Sequence, residues 1–110
     1  MDLIDLSQNK ILSRQAKIAT SFFDRLFGLL NPHNPRFLIF HTHFGIHTLF
    51  METPIDVLLL DGEQKVVKTQ ENLHPNRLFL YHPKFSLVVE MPKGTIKKYR
   101  IAINDKISIA

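Results

Sequence analysis

Ile55-Asp56-Val57-Leu58-Leu59-Leu60 sets a carboxylate at the head of the most hydrophobic run in the chain. A short apolar run closed by Asp61-Gly62 reads as a buried strand entering a hairpin turn. Pro54 holds Thr53 extended just before it, because its ring disfavours a helical conformation in the preceding residue. Asp56 is the conflict, since an unpaired carboxylate is costly to bury. Departures from local consistency of this kind concentrate at functional or strained positions. The polar, histidine-bearing approach from His47 to Glu52 runs directly into this strand.

The rest of the chain supplies partners for such a strand. Leu3–Leu6 and Lys10–Leu12 flank Ser7-Gln8-Asn9 and predict an N-terminal hairpin. Lys17-Ile18-Ala19 ends a further short strand. Phe22, Phe23, Leu26, Phe27 and Leu30 recur at three- and four-residue spacings, which predicts an amphipathic helix over Ser21–Leu30 stopped by Asn31-Pro32. Arg36–Phe40, Thr48–Met51, Lys65–Lys68 and Phe85–Met91 read as strands, and Thr95–Tyr99 as a single helical turn. Ile101, Ile103, Ile107 and Ile109 alternate around Asn104-Asp105 and predict a final hairpin. Strands at about ten-residue spacing with one helix predict a mostly β domain. The expected architecture is a β sandwich or partly closed barrel with the amphipathic helix packed on it, one domain over residues 1–110.

With no cysteine among 110 residues, disulfides, zinc-thiolate sites and thiol nucleophiles are excluded. The first residues show neither a basic start nor a long apolar region, and no stretch reaches the length of a membrane span. A cytoplasmic location without membrane contact is expected. The net charge of +4 is uneven: residues 1–63 hold five Lys/Arg against seven Asp/Glu, and residues 64–110 nine against three. A basic half suits an acidic partner, but a solvated face explains it as well, and nucleic acid is not an expected partner.

Several segments resemble the uncharacterised protein family 0127, also called domain of unknown function 192. Arg25-Leu26-Phe27-Gly28-Leu29-Leu30 is similar to that family's Arg-x-x-Gly-Leu-Leu/Met segment. His47-Thr48-Leu49-Phe50-Met51, Pro54-Ile55-Asp56-Val57 and Asp61 resemble its His-Thr-x-x-Met-x-x-Pro-Ile-Asp core. Val89-Glu90-Met91-Pro92-Lys93-Gly94 resembles its Leu-Glu-Leu-Pro-Ala-Gly segment, and Asn104-Asp105 takes the place of its Gly-Asp. The resemblance spans about residues 17–109 and implies a compact, mostly β domain with one helix, without bringing a reaction with it. Where relatives often carry a cysteine this chain has His43 or a neighbour. Asn104 replaces a glycine, tolerably, because asparagine enters the left-handed region readily.

His41, His43 and His47 form a His-x-His-x-x-x-His pattern, and imidazole is a frequent metal ligand. Asp56, Glu52 or Glu90 could complete a site, but the spacing is no established zinc signature and no metal is expected. If their strands are neighbours, Asp56 and Glu90 would share a cleft, with a raised pKa suited to acid–base work. Alternatively, each accepts backbone N–H bonds and pins a turn, and Arg25 suits either as a partner. No serine has a Gly-x-Ser-x-Gly context, and no phosphate-binding glycine loop occurs.

The leading expectation is a non-catalytic module that binds a small molecule or a protein, using His47, Thr48, Met51, Asp56, Glu90 and Arg25, with no cofactor. A hydrolase or metal-assisted enzyme using His43, His47 and Asp56 is the alternative. A nucleic-acid-binding module, with Lys97, Lys98 and Arg100 beside Tyr99, comes third. The ligand and the oligomeric state are not legible.

Overall fold

The computed structural model of the chain describes residues 1–18, 37–41, 46–47, 54–75, 77–79, 81–82, 84–85 and 87–110, with the backbone alone at 40, 46, 47 and 78. The Ser21–Leu30 helix and the Thr48–Met51 strand expected from the sequence lie outside these residues.

Ten strands are described: β1 (Leu3–Asp5), β2 (Lys10–Ser13), β3 (Lys17–Ile18), β4 (Leu38–His41), β5 (Ile46–His47), β6 (Ile55–Leu60), β7 (Val66–Leu73), β8 (Leu78–Phe79), β9 (Leu87–Pro92) and β10 (Ile107–Ile109). A five-stranded sheet has the order β3-β4-β9-β6-β7, a three-stranded sheet the order β10-β1-β2, and β5 pairs with β8 alone. Among the described residues no strand pairing closes these sheets into a barrel, so the sandwich is the alternative realised. One short helix, Thr95–Tyr99, completes the described elements.

The five-stranded sheet is buried on both faces around β6, which explains why all six β6 residues are buried and why the strand reads as a continuous apolar run. On one face Leu58, Leu60, Val89, Met91 and Ile39 pack with Leu3, Leu12 and Ile107 of the three-stranded sheet and with Ile96 of the helix. On the other, Ile55, Val57, Leu59 and Val88 pack with Leu73 and Phe79, with Tyr81 and Phe85 half-buried at the margin. Residues of one strand alternate between the two cores, as the two-residue period of a strand requires.

Local chemistry sets the turns. Asp61 Oδ1 accepts the N–H groups of Glu63 and Lys65, both at 2.9 Å, and Gln64 takes a positive φ of 63°, so β6 reverses into β7 as the Asp61-Gly62 signal predicted. The final hairpin is corrected. β10 pairs with β1 at the other end of the chain rather than with Ile101 and Ile103. Residues 102–105 turn instead: the N–H of Asp105 donates to the Ala102 carbonyl, and Asn104 sits at φ 76°, in the left-handed region its side chain tolerates.

The helix enters from Gly94, whose φ is 87°. A Cβ there would meet nothing within 4 Å, so the demand for glycine is conformational and not steric. Gly94→Ala is expected to cost about 1–2 kcal/mol, the left-handed penalty alone. Chemical denaturation reads that loss; a cost well above this range would mean that the space around residue 94 is closed.

Candidate functional site

Asp56 is fully buried. The main-chain N–H of Asn72 donates to its Oδ1 and that of Ile96 to its Oδ2, each at 2.9 Å. These donors are special in kind. Asn72 stands at a positive φ of 54° opposite the irregular stretch between Ile55 and Val57, where the β6–β7 ladder shifts register. Its N–H is diverted from the ladder to the carboxylate. Ile96 is in the first turn of the helix, where N–H groups lack intrahelical acceptors, and no side chain within that helix caps them. Asp56 therefore supplies from a strand the anionic cap that the helix lacks, in favourable alignment with the positive end of its dipole. One carboxylate fastens β6, β7 and the helix.

Glu90 is also fully buried, on β9. β6 and β9 are antiparallel neighbours, as the pairing of the two acids in one cleft requires. Their register separates them nonetheless: Asp56 stands opposite Met91, and Glu90 opposite Val57. Asp56 and Met91 belong to the face packed against the three-stranded sheet, whereas Val57 and Glu90 belong to the face of Phe79 and Val88. The two acids occupy opposite faces of the sheet and do not share a cleft.

His47 is described in its backbone, on β5 opposite Leu78, and the next register pair joins Ile46 to Phe79. Since Phe79 packs with Val57 and Val88, the β5–β8 pair lies on the Glu90 side of the sheet. Around it, the Phe79 and Tyr81 rings lie 5.8 Å apart at 52°, and the Lys68 ammonium sits 4.8 Å from the Phe79 ring centre. His41 is exposed at the end of β4, in register with Leu87. Arg25, His43, Thr48, Met51 and Glu52 lie outside the described residues. Among the described residues, no three His, Asp or Glu side chains gather in a way that could hold a metal ion.

A second polar cluster escaped the sequence reading. Asp5 is fully buried on β1, and the side-chain amide of Gln8 donates to Asp5 Oδ2, Asp105 Oδ2 and the Arg100 carbonyl, each at 2.9 Å. The Lys10 ammonium reaches Gln8 Oε1 at 3.0 Å and the Tyr99 carbonyl at 3.1 Å. The signal was present in Leu3-Ile4-Asp5, where alternation puts Asp5 on the same inward face as Leu3.

Sandwiched sheets with buried acids at register-defined positions mark this as a small β-sandwich domain. The chain belongs to the family DUF192, described as an uncharacterized ACR, whose model matches residues 4–109. A UPF0127 protein of Pyrococcus abyssi is 32% identical over 111 residues, covering 96% of this chain and 94% of its own length. Another, from Pyrococcus horikoshii, is 30% identical over 112 residues, with 96% of each chain covered. Among solved structures, a protein of unknown function from Novosphingobium aromaticivorans has a TM-score of 0.78 at 13% identity, covering 99% of this chain and 84% of its own. A Sinorhizobium meliloti chain, whose name makes it only provisionally a transcription regulator, has a TM-score of 0.71 at 17% identity, covering 97% and 89%. At such identities these likenesses concern the fold alone.

Proposed function

We propose that this domain is a binding module, and that its site lies on the Glu90 face of the five-stranded sheet, on the side of the β5 strand that carries His47. The observation that carries this is the separation of the two buried acids. Asp56 has both oxygens engaged by main-chain N–H groups of other elements and is committed to holding the fold. Glu90 lies on the opposite face, beneath the layer to which Phe79, Tyr81 and the His47 strand belong. An aromatic margin beside a buried carboxylate favours an organic ligand presenting a donor or a cation. Small amines and guanidinium compounds are the class this chemistry would recognise. In this reading Thr48, Met51 and Arg25 belong to the same site, with Asp56 as its support. The enzyme alternative needs Asp56 and His47 to act together, whereas Asp56 belongs to the face of the sheet opposite the β5 strand that carries His47.

Thermal unfolding of the wild type in the presence of a panel of small amines and guanidinium compounds tests the proposal. A member that binds should raise the midpoint in a saturable way, by about 2.7 kcal/mol of added stability at a hundred times its Kd. Glu90→Gln should weaken that binding by about 1.5–3 kcal/mol, the worth of a charge-assisted hydrogen bond. Chemical conversion of the compound over many turnovers would instead make the domain an enzyme.

A further inference from the structure

The cluster that ties the two ends of the chain together has one acceptor too many. A primary amide carries two N–H groups, yet Gln8 Nε2 faces three oxygens at 2.9 Å: Asp5 Oδ2, Asp105 Oδ2 and the Arg100 carbonyl. Its orientation is fixed by Lys10, whose ammonium donates to Oε1 and so assigns the nitrogen to the acid side. The remaining donors are also accounted for. Asp5 Oδ1 accepts the Gln8 main-chain N–H at 3.2 Å, and Asp105 Oδ2 accepts that of Ala102 at 3.0 Å. With both acids ionised, two carboxylates would converge on one amide with too few hydrogens between them, and Asp5 is fully buried. A proton held between the carboxyl groups removes both the excess acceptor and the repulsion.

We infer that Asp5 and Asp105 share one proton, and that this proton is a pH-sensitive clasp between the N-terminal hairpin and the C-terminal part of the chain. The clasp joins elements far apart in sequence. Asp5 is in register with Ile107 of β10, and the Leu6–Asn9 loop is held by the Arg100 carbonyl through Gln8 and by Lys106, whose N–H donates to Ser7 Oγ and whose carbonyl accepts the Leu6 N–H.

The titratable groups around the pair come from each neighbouring element. Lys10 on β2 acts on Asp105 by its charge. Tyr99 and Arg100 at the helix end enter through main-chain carbonyls, and Lys106 before β10 through main-chain atoms. Burial foremost, then the hydrogen bond with Asp105 and that group's charge, raise Asp5 above its ordinary 3.8, against the lowering effect of Gln8. For Asp105 burial acts upward, but the bonds from Asp5, Ala102 and Gln8 and the charge of Lys10 outweigh it and hold the group below 3.8. The signs follow from linkage. The contribution of Asp5 is complete below 3.8 and is lost as pH rises through its folded value. That of Asp105 is present above 3.8 and is lost as pH falls through its own. The clasp is therefore tightest in mild acid, near pH 3.8, and loosens toward neutrality.

Carboxyl-carbon NMR titration of the wild-type chain, with Tm measured against pH for wild type and Asp5→Asn, tests this. The expected result is two coupled steps, Asp5 titrating above 3.8 and Asp105 below it. Asp5→Asn removes the titrating member of the pair, so its Tm should lack the decline that the wild type shows as pH rises from mild acid, whatever the cost of its amide facing Gln8. Two independent titrations near 3.8, or parallel Tm curves for the two proteins, would overturn the inference. Should Asp5→Asn fail to fold, the wild-type titration decides by itself.

Discussion

Asp56→Ala is expected to destabilise the fold by about 2–5 kcal/mol, because it strands one buried and one partly buried main-chain donor, at about 1–3 kcal/mol for the buried one and less for the other. The donors are the N–H groups of Asn72 and Ile96, which Asp56 accepts at 2.9 Å from β7 and from the helix. Alanine leaves both without an acceptor, and neither can turn to its own element: Asn72 is at a register shift, and Ile96 is in a first helical turn. Asp56→Asn should cost less, about 1.5–3 kcal/mol, since one oxygen is kept while the new amide hydrogens confront an existing donor. Equilibrium denaturation of the three proteins gives the ranking wild type, Asn, Ala. An Asn variant as stable as the wild type, or more so, would mean that the carboxylate is kept at a stability cost, as catalytic groups are, and would revive the enzyme reading.

Leu58→Ala is expected to cost about 2–5 kcal/mol, the range for a leucine removed from a filled core. Leu58 is completely buried at the centre of β6, in register with Thr69 of β7 and Val89 of β9. Its side chain belongs to the core shared with Leu3 and Ile107 of the three-stranded sheet. Truncation there opens a cavity between two layers that are each tied into sheets, which limits how far they can close on it. Urea unfolding reads the loss directly; a cost under about 1 kcal/mol would mean that the two sheets are not packed through this residue.

Which parts of this were legible in the residues has a physical explanation. The Ile55–Leu60 strand was, to the residue, because a strand covered on both faces needs no alternation and its apolar run ends at a turn with its own chemistry. The short helix at Thr95–Tyr99 and the left-handed Asn104 were legible for the same local reasons. The final hairpin was not. Ile101 and Ile103 share the alternation of Ile107 and Ile109, but β10 completes its pairing with β1, a partnership that only the fold can supply. β7 likewise extends to Leu73, beyond the apolar Val66-Val67, since Lys68 to Gln70 are held by pairing with β6 and Asn72 by the Asp56 carboxylate, not by burial.

The acids illustrate the same limit. That Asp56 and Glu90 sit in neighbouring apolar strands was readable. That they point to opposite faces depends on inter-strand register, since a shift of one residue would have brought them together. The carboxylate pair of Asp5 and Asp105 is separated by almost the whole chain and becomes visible only when β1 and β10 meet. The family pattern contained Asp105 but not its partner.

The central claim, that Asp56 holds the fold while the Glu90 face binds, is tested most directly by one comparison. Ligand affinity and unfolding free energy are measured together for wild type, Asp56→Asn and Glu90→Gln, using an amine or guanidinium compound that stabilises the wild type. The account predicts that Asp56→Asn loses about 1.5–3 kcal/mol of stability while keeping its affinity, and that Glu90→Gln loses roughly ten- to a hundredfold in affinity. Affinity lost on changing Asp56 and retained on changing Glu90 would contradict it.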